Sequence, residues 1–341
     1  MSRVFKSLIS QVVTARDLTE AEALQAMDII MAGEATPAQI AAFLTALRLK
    51  GETVEEITGF ARAMRRRAAV LSTRHTVFVD TCGTGGDGRH TFNISTTAAF
   101  VIAGAGVPVA KHGNRSVSSR CGSADVLEAL GVKVELPPAA AARCLDEVGL
   151  TFLFAPVFHG SMKHAAGPRR EIGIRTVFNL LGPLTNPANA PYQLVGVYES
   201  SLTEKMAAVL GRLGCRRAYV VHGDGLDEVT TTGPTQITSL EGGSINTYIF
   251  YPEDVGIARA RLEDLVGGTA DDNAAITLAV LKGEKGPARD VVLLNAAFGI
   301  LAAGGETSLP GALAAAARSI DSGAALAKLE SMKSFIESWA A

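Results

Sequence analysis

The sequence predicts an α/β protein in two parts. A small all-helical N-terminal domain spans residues 1–72, and a larger α/β domain with a mostly parallel central sheet flanked by helices spans 76–341. Two observations carry this. Up to about residue 70 the chain shows helical signals alone, whereas from residue 76 short apolar runs alternate with helical stretches, the rhythm of a parallel sheet covered on both faces. Composition agrees: 48% of the 341 residues are hydrophobic and 19% charged, which fills a core and argues against disorder.

In the helical part, Thr19-x-x-Glu22, Thr36-x-x-Gln39 and Thr53-x-x-Glu56 are three capping boxes, and Pro37 sits at a first helical position. Ile40, Phe43, Leu44 and Leu47 fall at i, i+3, i+4, i+7 and make one apolar face. Gly33 and Gly51 are placed to end the first two of these helices. The basic run Arg65-Arg66-Arg67 reads as a solvated helix end.

The α/β part opens with a strand at Thr76–Val79 and a glycine-rich turn, Asp80-Thr-Cys-Gly-Thr-Gly-Gly-Asp87, before a helix beginning near Asn93. Then follow a strand at Val107–Ala110, a polar loop from Lys111 to Ser123 and a short helix over Ala124–Leu130 stopped by Gly131. Next are a strand at Val132–Leu136, a helix over Pro138–Val148, a strand at Leu150–Ala155 and helical structure over His159–Leu181. A proline-rich turn at 182–187, a strand at Tyr192–Tyr198, a helix over Leu202–Leu213 and a strand at Ala218–His222 continue the alternation. Residues 231–251 read as a β-hairpin or irregular structure, and from Asn273 the chain is helical.

Several function classes drop out. With 32 basic and 34 acidic residues the net charge is −2, which argues against a dedicated nucleic-acid binder. Cys82, Cys121, Cys144 and Cys215 lie far apart with no CxxC pair, so neither a zinc site nor a disulfide framework is indicated, and a reducing cytoplasm fits. Residues 1–11 show no signal-peptide pattern, and the longest apolar runs are too short to span a bilayer.

Four clusters could do chemistry. Gly83, Gly85 and Gly86 let bare backbone N–H groups approach a ligand just ahead of a helix N-terminus, a recipe for an anion site. No Lys-Ser/Thr follows Gly86, and the spacing is not GxGxxG, so neither the P-loop nor the dinucleotide fingerprint applies. The loop Lys111–Ser123 supplies cations, hydroxyls and amides after the next strand, where open α/β sheets bind ligands, and it suits a polyphosphate. Asp227-Glu228 could hold Mg²⁺ that substrate phosphates also bind, with Ser95 adding a hydroxyl. Arg169-Arg170 could clamp a carboxylate, or could form an ordinary surface ion pair. His75, His90 and His159 take ordinary structural readings.

Asp80-Thr-Cys-Gly-Thr-Gly-Gly-Asp87, Asn93-Ile-Ser-Thr96, Lys111-His-Gly-Asn-Arg115, Gly122-Ser-Ala-Asp-Val-Leu-Glu-Ala-Leu-Gly131, Asn179-Leu-Leu-Gly-Pro-Leu-Thr-Asn-Pro187 and Asp227-Glu228 occur in this order. The set resembles the anthranilate phosphoribosyltransferase family over essentially the whole chain. The resemblance implies the architecture shared with pyrimidine nucleoside phosphorylases, a cleft between the two domains, and helices from about 169–190 joining the small domain. It implies a homodimer through the helical domains and transfer of phosphoribosyl from phosphoribosyl pyrophosphate (PRPP) to anthranilate in tryptophan biosynthesis. Matched motif by motif, PRPP would contact Gly83, Gly86, Asp87, Thr91, Asn93, Ile94, Ser95, Thr96, Lys111, His112, Gly113, Asn114, Arg115, Ser116, Val117, Ser118, Ser119 and Ser123. The resemblance further gives Mg²⁺ to Ser95, Asp227 and Glu228, and anthranilate to Gly83, Asn114 and Arg169, with His112 as an additional contact to the aromatic acid.

The implied chemistry needs little acid–base help, because an aryl amine is already neutral near pH 7. Charge on departing pyrophosphate is the main demand, met by Mg²⁺, loop amides and Lys111, while Arg169 and Asn114 aim the amine. Two other readings share the sequence features. A pyrimidine nucleoside phosphorylase would use a similar glycine loop but has less need of Asp227-Glu228. A non-catalytic nucleic-acid-binding relative would want a basic face that the charge balance does not provide.

Overall fold

The structure, a computed structural model, describes residues 3–116 and 120–340. Four helices come first: α1 (Arg3–Val13), α2 (Glu20–Met31), α3 (Pro37–Lys50) and α4 (Val54–Arg67). All three capping boxes form, each threonine side chain accepting from the backbone N–H three residues on while the Glu or Gln there returns to the cap N–H. The α3 face built from Ile40, Phe43, Leu44 and Leu47 is buried, and Phe43 packs between the rings of Phe5 and Phe60. Arg65 departs from the solvated helix end. It turns inward and donates to the carbonyls of Leu184 (2.7 Å) and Leu213 (3.2 Å), the last turns of two later helices that leave carbonyls unpaired.

The rest alternates as expected: β1 (Val79–Gly83), α5 (Ile94–Gly104), β2 (Val109–Gly113), α6 (Ser123–Ala129), α7 (Pro138–Val148), β3 (Leu150–Phe154) and α8 (Ala155–Phe158). Then follow α9 (Lys163–Ile172), α10 (Phe178–Leu184), β4 (Tyr192–Gly196), α11 (Leu202–Arg212) and β5 (Arg217–Gly223). The hairpin β6 (Thr235–Glu241) and β7 (Ser244–Phe250) precedes α12 (Ala270–Leu281), α13 (Pro287–Ala302), α14 (Leu309–Asp321) and α15 (Ala324–Ala340). One seven-stranded sheet results, in the order β3-β2-β1-β4-β5-β6-β7, parallel from β3 to β5 and antiparallel thereafter.

Period-two alternation divides the strands between two layers. Val195, Ala218 and Val220 face the layer holding α11, α10 and the N-terminal helices, while Leu194, Tyr219 and Val221 face α13. The helix α9 packs on α2 and α3, and α10 packs on α4.

Four expectations change. The first two strands begin later than their apolar residues, so Asp80 and Cys82 lie inside β1 and Lys111–Gly113 inside β2. Val132–Leu136 is no strand: Val132, Val134 and Leu136 are buried by packing, but the backbone joins no ladder. Residues 159–181 are not one helix, since α9 ends at Gly173 in the left-handed region (φ 62°). The prolines of 182–187 do not all sit in a turn, because Gly182-Pro183-Leu184 closes α10.

Candidate active site

Carboxyl ends of β1, β2 and β4, with the loop following β5, meet where the strand order reverses around β1, the crevice in which open α/β sheets hold ligands. Close approach there depends on glycine. A Cβ on Gly83 would stand 2.3 Å from Asp227 Oδ2, and one on Gly196 would stand 1.5 Å from the Asp227 carbonyl oxygen. With both bare, the loop carrying Asp227-Glu228 lies directly against β1 and β4.

Three loops are tied by direct hydrogen bonds. Gly85 N–H donates to Asp227 Oδ2 at 2.7 Å, and Ser95 N–H, in the first turn of α5, donates to Glu228 Oε1 at 3.2 Å. Lys111 Nζ reaches from β2 to the Thr81 carbonyl on β1 and to Ser95 Oγ at 3.3 Å, although the residue is only 4% exposed. The glycine loop, the strand-end lysine and the carboxylate pair share one place.

Burial raises the pKa values of Asp227 and Glu228 well above those of ordinary carboxylates; repulsion from Asp87 adds to the first and from Asp227 to the second, with Lys111 opposing on Glu228. Two half-buried carboxylates held in a strained charge state favour a cation. The donor set is oxygen throughout (Asp227, Glu228 and Ser95 Oγ), the preference of Mg²⁺. Among the described residues no three or more His, Cys, Asp or Glu side chains form a self-sufficient metal cage. The residues present fit Mg²⁺.

Behind this layer the sheet is prised open. β1 and β2 pair only at Val79↔Val109. Beyond that point the fully buried Asp80 accepts from His112 N–H (3.1 Å) and from Asn186 Nδ2 (2.7 Å), which also donates to the Ala110 carbonyl (2.8 Å). Side chains thus replace ladder bonds, leaving room for the Lys111 ammonium between the strands.

The remaining predicted residues fall into groups. Asn93 begins α5 without capping it, its side chain donating to the Cys121 carbonyl and accepting from Asn273 Nδ2 at 2.9 Å. Thr91 makes an isolated bridge to Val266; Ile94 and Thr96 are buried, and Asp87 Oδ1 accepts from Arg89 N–H. Gly113 passes tightly under Ser123, whose hydroxyl donates to the Asn114 carbonyl. Arg115 is committed elsewhere: it pairs with Glu128 and Asp125 and stacks 5.5 Å over Phe154, while Ser116 N–H donates to Asp125. Val117, Ser118 and Ser119 lie outside the described residues.

Arg169 sits in α9 with its guanidinium 4.9 Å over the Phe178 ring, and burial lowers its pKa. Among the described residues no carboxylate lies within ion-pair distance of it, leaving a half-buried cation suited to an acid from outside. His112 is buried with Nδ1 bonded to the Gly182 carbonyl (3.1 Å), and burial with the neighbouring His159 pushes its pKa down to about 3, so the ring is neutral.

Sequence reasoning passes over three residues placed here. His159 packs its ring 5.2 Å from that of His112, and both Nε2 atoms are buried without partners. Asp80 enters that reasoning only within a motif, and Arg175 not at all, although it donates to the Gly86 carbonyl. A carboxylate inside an apolar strand is a usable signal for Asp80, because buried charge needs partners. His159 and Arg175 lie after chain reversals that no local pattern foretells.

Known proteins resemble the chain over nearly its whole length. Residues 75–326 match the family described as "Glycosyl transferase family, a/b domain", and residues 6–68 match its helical bundle domain. The chain is 76% identical over 339 residues to the anthranilate phosphoribosyltransferase of Moorella thermoacetica, covering 99% of this chain and 100% of that one. It is 60% identical to that of Symbiobacterium thermophilum, over 97% of each. Among solved structures, the Thermus thermophilus anthranilate phosphoribosyltransferase superposes with TM-score 0.93 at 46% identity, over 97% of this chain and 99% of that one. The Saccharomyces cerevisiae enzyme in complex with PRPP and Mg gives TM-score 0.90 at 28% identity, over 99% of each.

Proposed function

From the premise that the chain belongs to the anthranilate phosphoribosyltransferase family of glycosyl transferases, we propose the following working of its site. The protein transfers the 5-phosphoribosyl group of PRPP to the amine of anthranilate, giving N-(5-phosphoribosyl)anthranilate and pyrophosphate in tryptophan biosynthesis. The observation that carries this is the convergence of the Gly85 amide, Lys111, Ser95 and the half-buried Asp227-Glu228 pair, linked by hydrogen bonds.

The glycine loop and Lys111 bind the diphosphate, their N–H groups standing ready as charge builds on the bridging oxygen during cleavage of the bond to the sugar carbon. Asp227, Glu228 and Ser95 hold Mg²⁺, which supplies Lewis-acid stabilisation of the leaving diphosphate. Gly83, Gly86, Asp87, Thr91, Asn93–Thr96, the loop from Lys111 through Ser119 and Ser123 complete the PRPP site. Arg169, which meets no carboxylate among the described residues, takes the anthranilate carboxylate, and Gly83 and Asn114 help present the amine to the anomeric carbon. Neutral His112 lines the aromatic side without competing for the proton.

We assign residues 1–72 to the small domain, joined by 169–190, and 76–341 to the large one. The active form is a homodimer through the helical domains, a second copy covering Val4, Val13 and Leu49, the last 84% exposed. The cytoplasm suits a chain whose four cysteines lie far apart with no CxxC pair, and among the described residues no helix is long and apolar enough to cross a membrane. One assay decides the activity. Anthranilate fluorescence should fall only when PRPP and Mg²⁺ are both added; a fall without them, or phosphorolysis of a pyrimidine nucleoside instead, would reject it. Light scattering tests the dimer.

A further inference from the structure

We propose that Arg175 is a positioning residue that locks the glycine loop into its diphosphate-binding shape, an inference that rests on the PRPP reading of that loop. The loop needs such a lock. Gly85, Gly86 and Gly88 all take positive φ (64°, 80° and 72°), and residues 84–90 form no helix or strand, so nothing regular restrains them.

Its first three residues are instead enclosed by a ring of contacts. Thr84 N–H donates to the Gly196 carbonyl (2.9 Å), and Thr84 Oγ1 accepts from Tyr198 N–H (3.1 Å). The Arg175 guanidinium stacks 4.5 Å over the Tyr198 ring and donates to the Gly86 carbonyl, closing the circuit Thr84–Tyr198–Arg175–Gly86. A Cβ on Gly86 would lie 3.6 Å from that guanidinium, so the two surfaces are in contact. Among the described residues no carboxylate stands within ion-pair distance of Arg175; its stack and the loop carbonyl are what hold it.

A trans peptide points its C=O and N–H in opposite directions. Holding the Gly86 carbonyl toward Arg175 therefore turns the Asp87 N–H to the other side of the loop. It also sets where the Asp87 carboxylate stands beside Asp227, the neighbour it repels. Arg175 comes from the break between α9 and α10, helices packed on the N-terminal bundle, so the bundle's position is passed to the loop.

The test is a double-mutant cycle, R175A, Y198L and the pair, with R175K alongside, read as separate KM values for PRPP and anthranilate and as kcat. The expected result is a PRPP KM raised about 10-fold in R175A and in Y198L, the size of one lost charge-assisted hydrogen bond. The anthranilate KM at saturating PRPP stays within about twofold, and the pair is no worse than either single variant, as for one shared clamp. R175K, which cannot stack a plane and donate together, resembles R175A. A PRPP KM unchanged in R175A, additive singles, or full rescue by lysine would overturn the proposal. Should R175A not fold, Y198L carries the same test. Wild-type protein that binds no PRPP by calorimetry would instead remove the functional reading beneath it, a failure visible without any substitution.

Discussion

Replacing Asp227 with Asn and Glu228 with Gln should make the protein more stable and nearly inactive. Both amides can keep accepting from Gly85 and Ser95 N–H, because each retains a carbonyl oxygen in the carboxylate's place. What disappears is charge. The two neighbouring carboxylates repel each other, and Asp87 adds to the strain on Asp227. Ordinary values are 3.8 and 4.5, and both groups are raised in the folded protein. Below about pH 3 folded and unfolded states are both protonated, and the pair costs nothing. As pH climbs toward neutrality the unfolded state releases its protons first, so metal-free wild type loses stability across that window. Mg²⁺ restores it, more strongly at higher pH, by about 2.7 kcal/mol at a hundredfold excess over its Kd. Thermal unfolding from about pH 5 to 8, with and without Mg²⁺, reads all of this. Wild type should show a falling metal-free Tm and a growing Mg²⁺ shift, and the double variant a flat Tm with no shift. A variant that still responds to Mg²⁺, or a wild type indifferent to pH, would refute the assignment of these carboxylates to the metal.

Three further outcomes are expected. Arg169→Ala should raise the anthranilate KM roughly 10–100-fold with the PRPP KM unmoved, since a half-buried cation meeting a carboxylate is worth about 1.5–3 kcal/mol; steady-state titration of each substrate checks it. Gly83→Ala would drive a Cβ into Asp227 Oδ2 and should lower Mg²⁺-dependent turnover by about 100-fold or more, measured by Mg²⁺ titration of the fluorescence assay. Lys111→Met should lower kcat about 100-fold and also destabilise by about 1–3 kcal/mol in denaturant melts, since Asp80 and Glu228 lose their buried counter-charge.

Much of the local structure was legible in the chain. Three Thr-x-x-Glu/Gln boxes fixed where α2, α3 and α4 start, because each cap is settled within four residues. The switch from helical to alternating rhythm near residue 72 announced the α/β architecture, and ordered motifs identified the family. Boundaries slipped where polar residues serve the sheet: apolar pattern marks buried faces, and Lys111 and Asp80 are buried without being apolar. Tertiary structure alone decided how the pieces meet. It opened β1 from β2 so that Asp80, Asn186 and Lys111 fill the gap, brought Asp227 against the bare Cα atoms of Gly83 and Gly196, and set Arg175 on the glycine loop 89 residues away in sequence. Periodicity reports each residue's own exposure, whereas these contacts are set by the crossing of distant segments, which only the folded chain establishes.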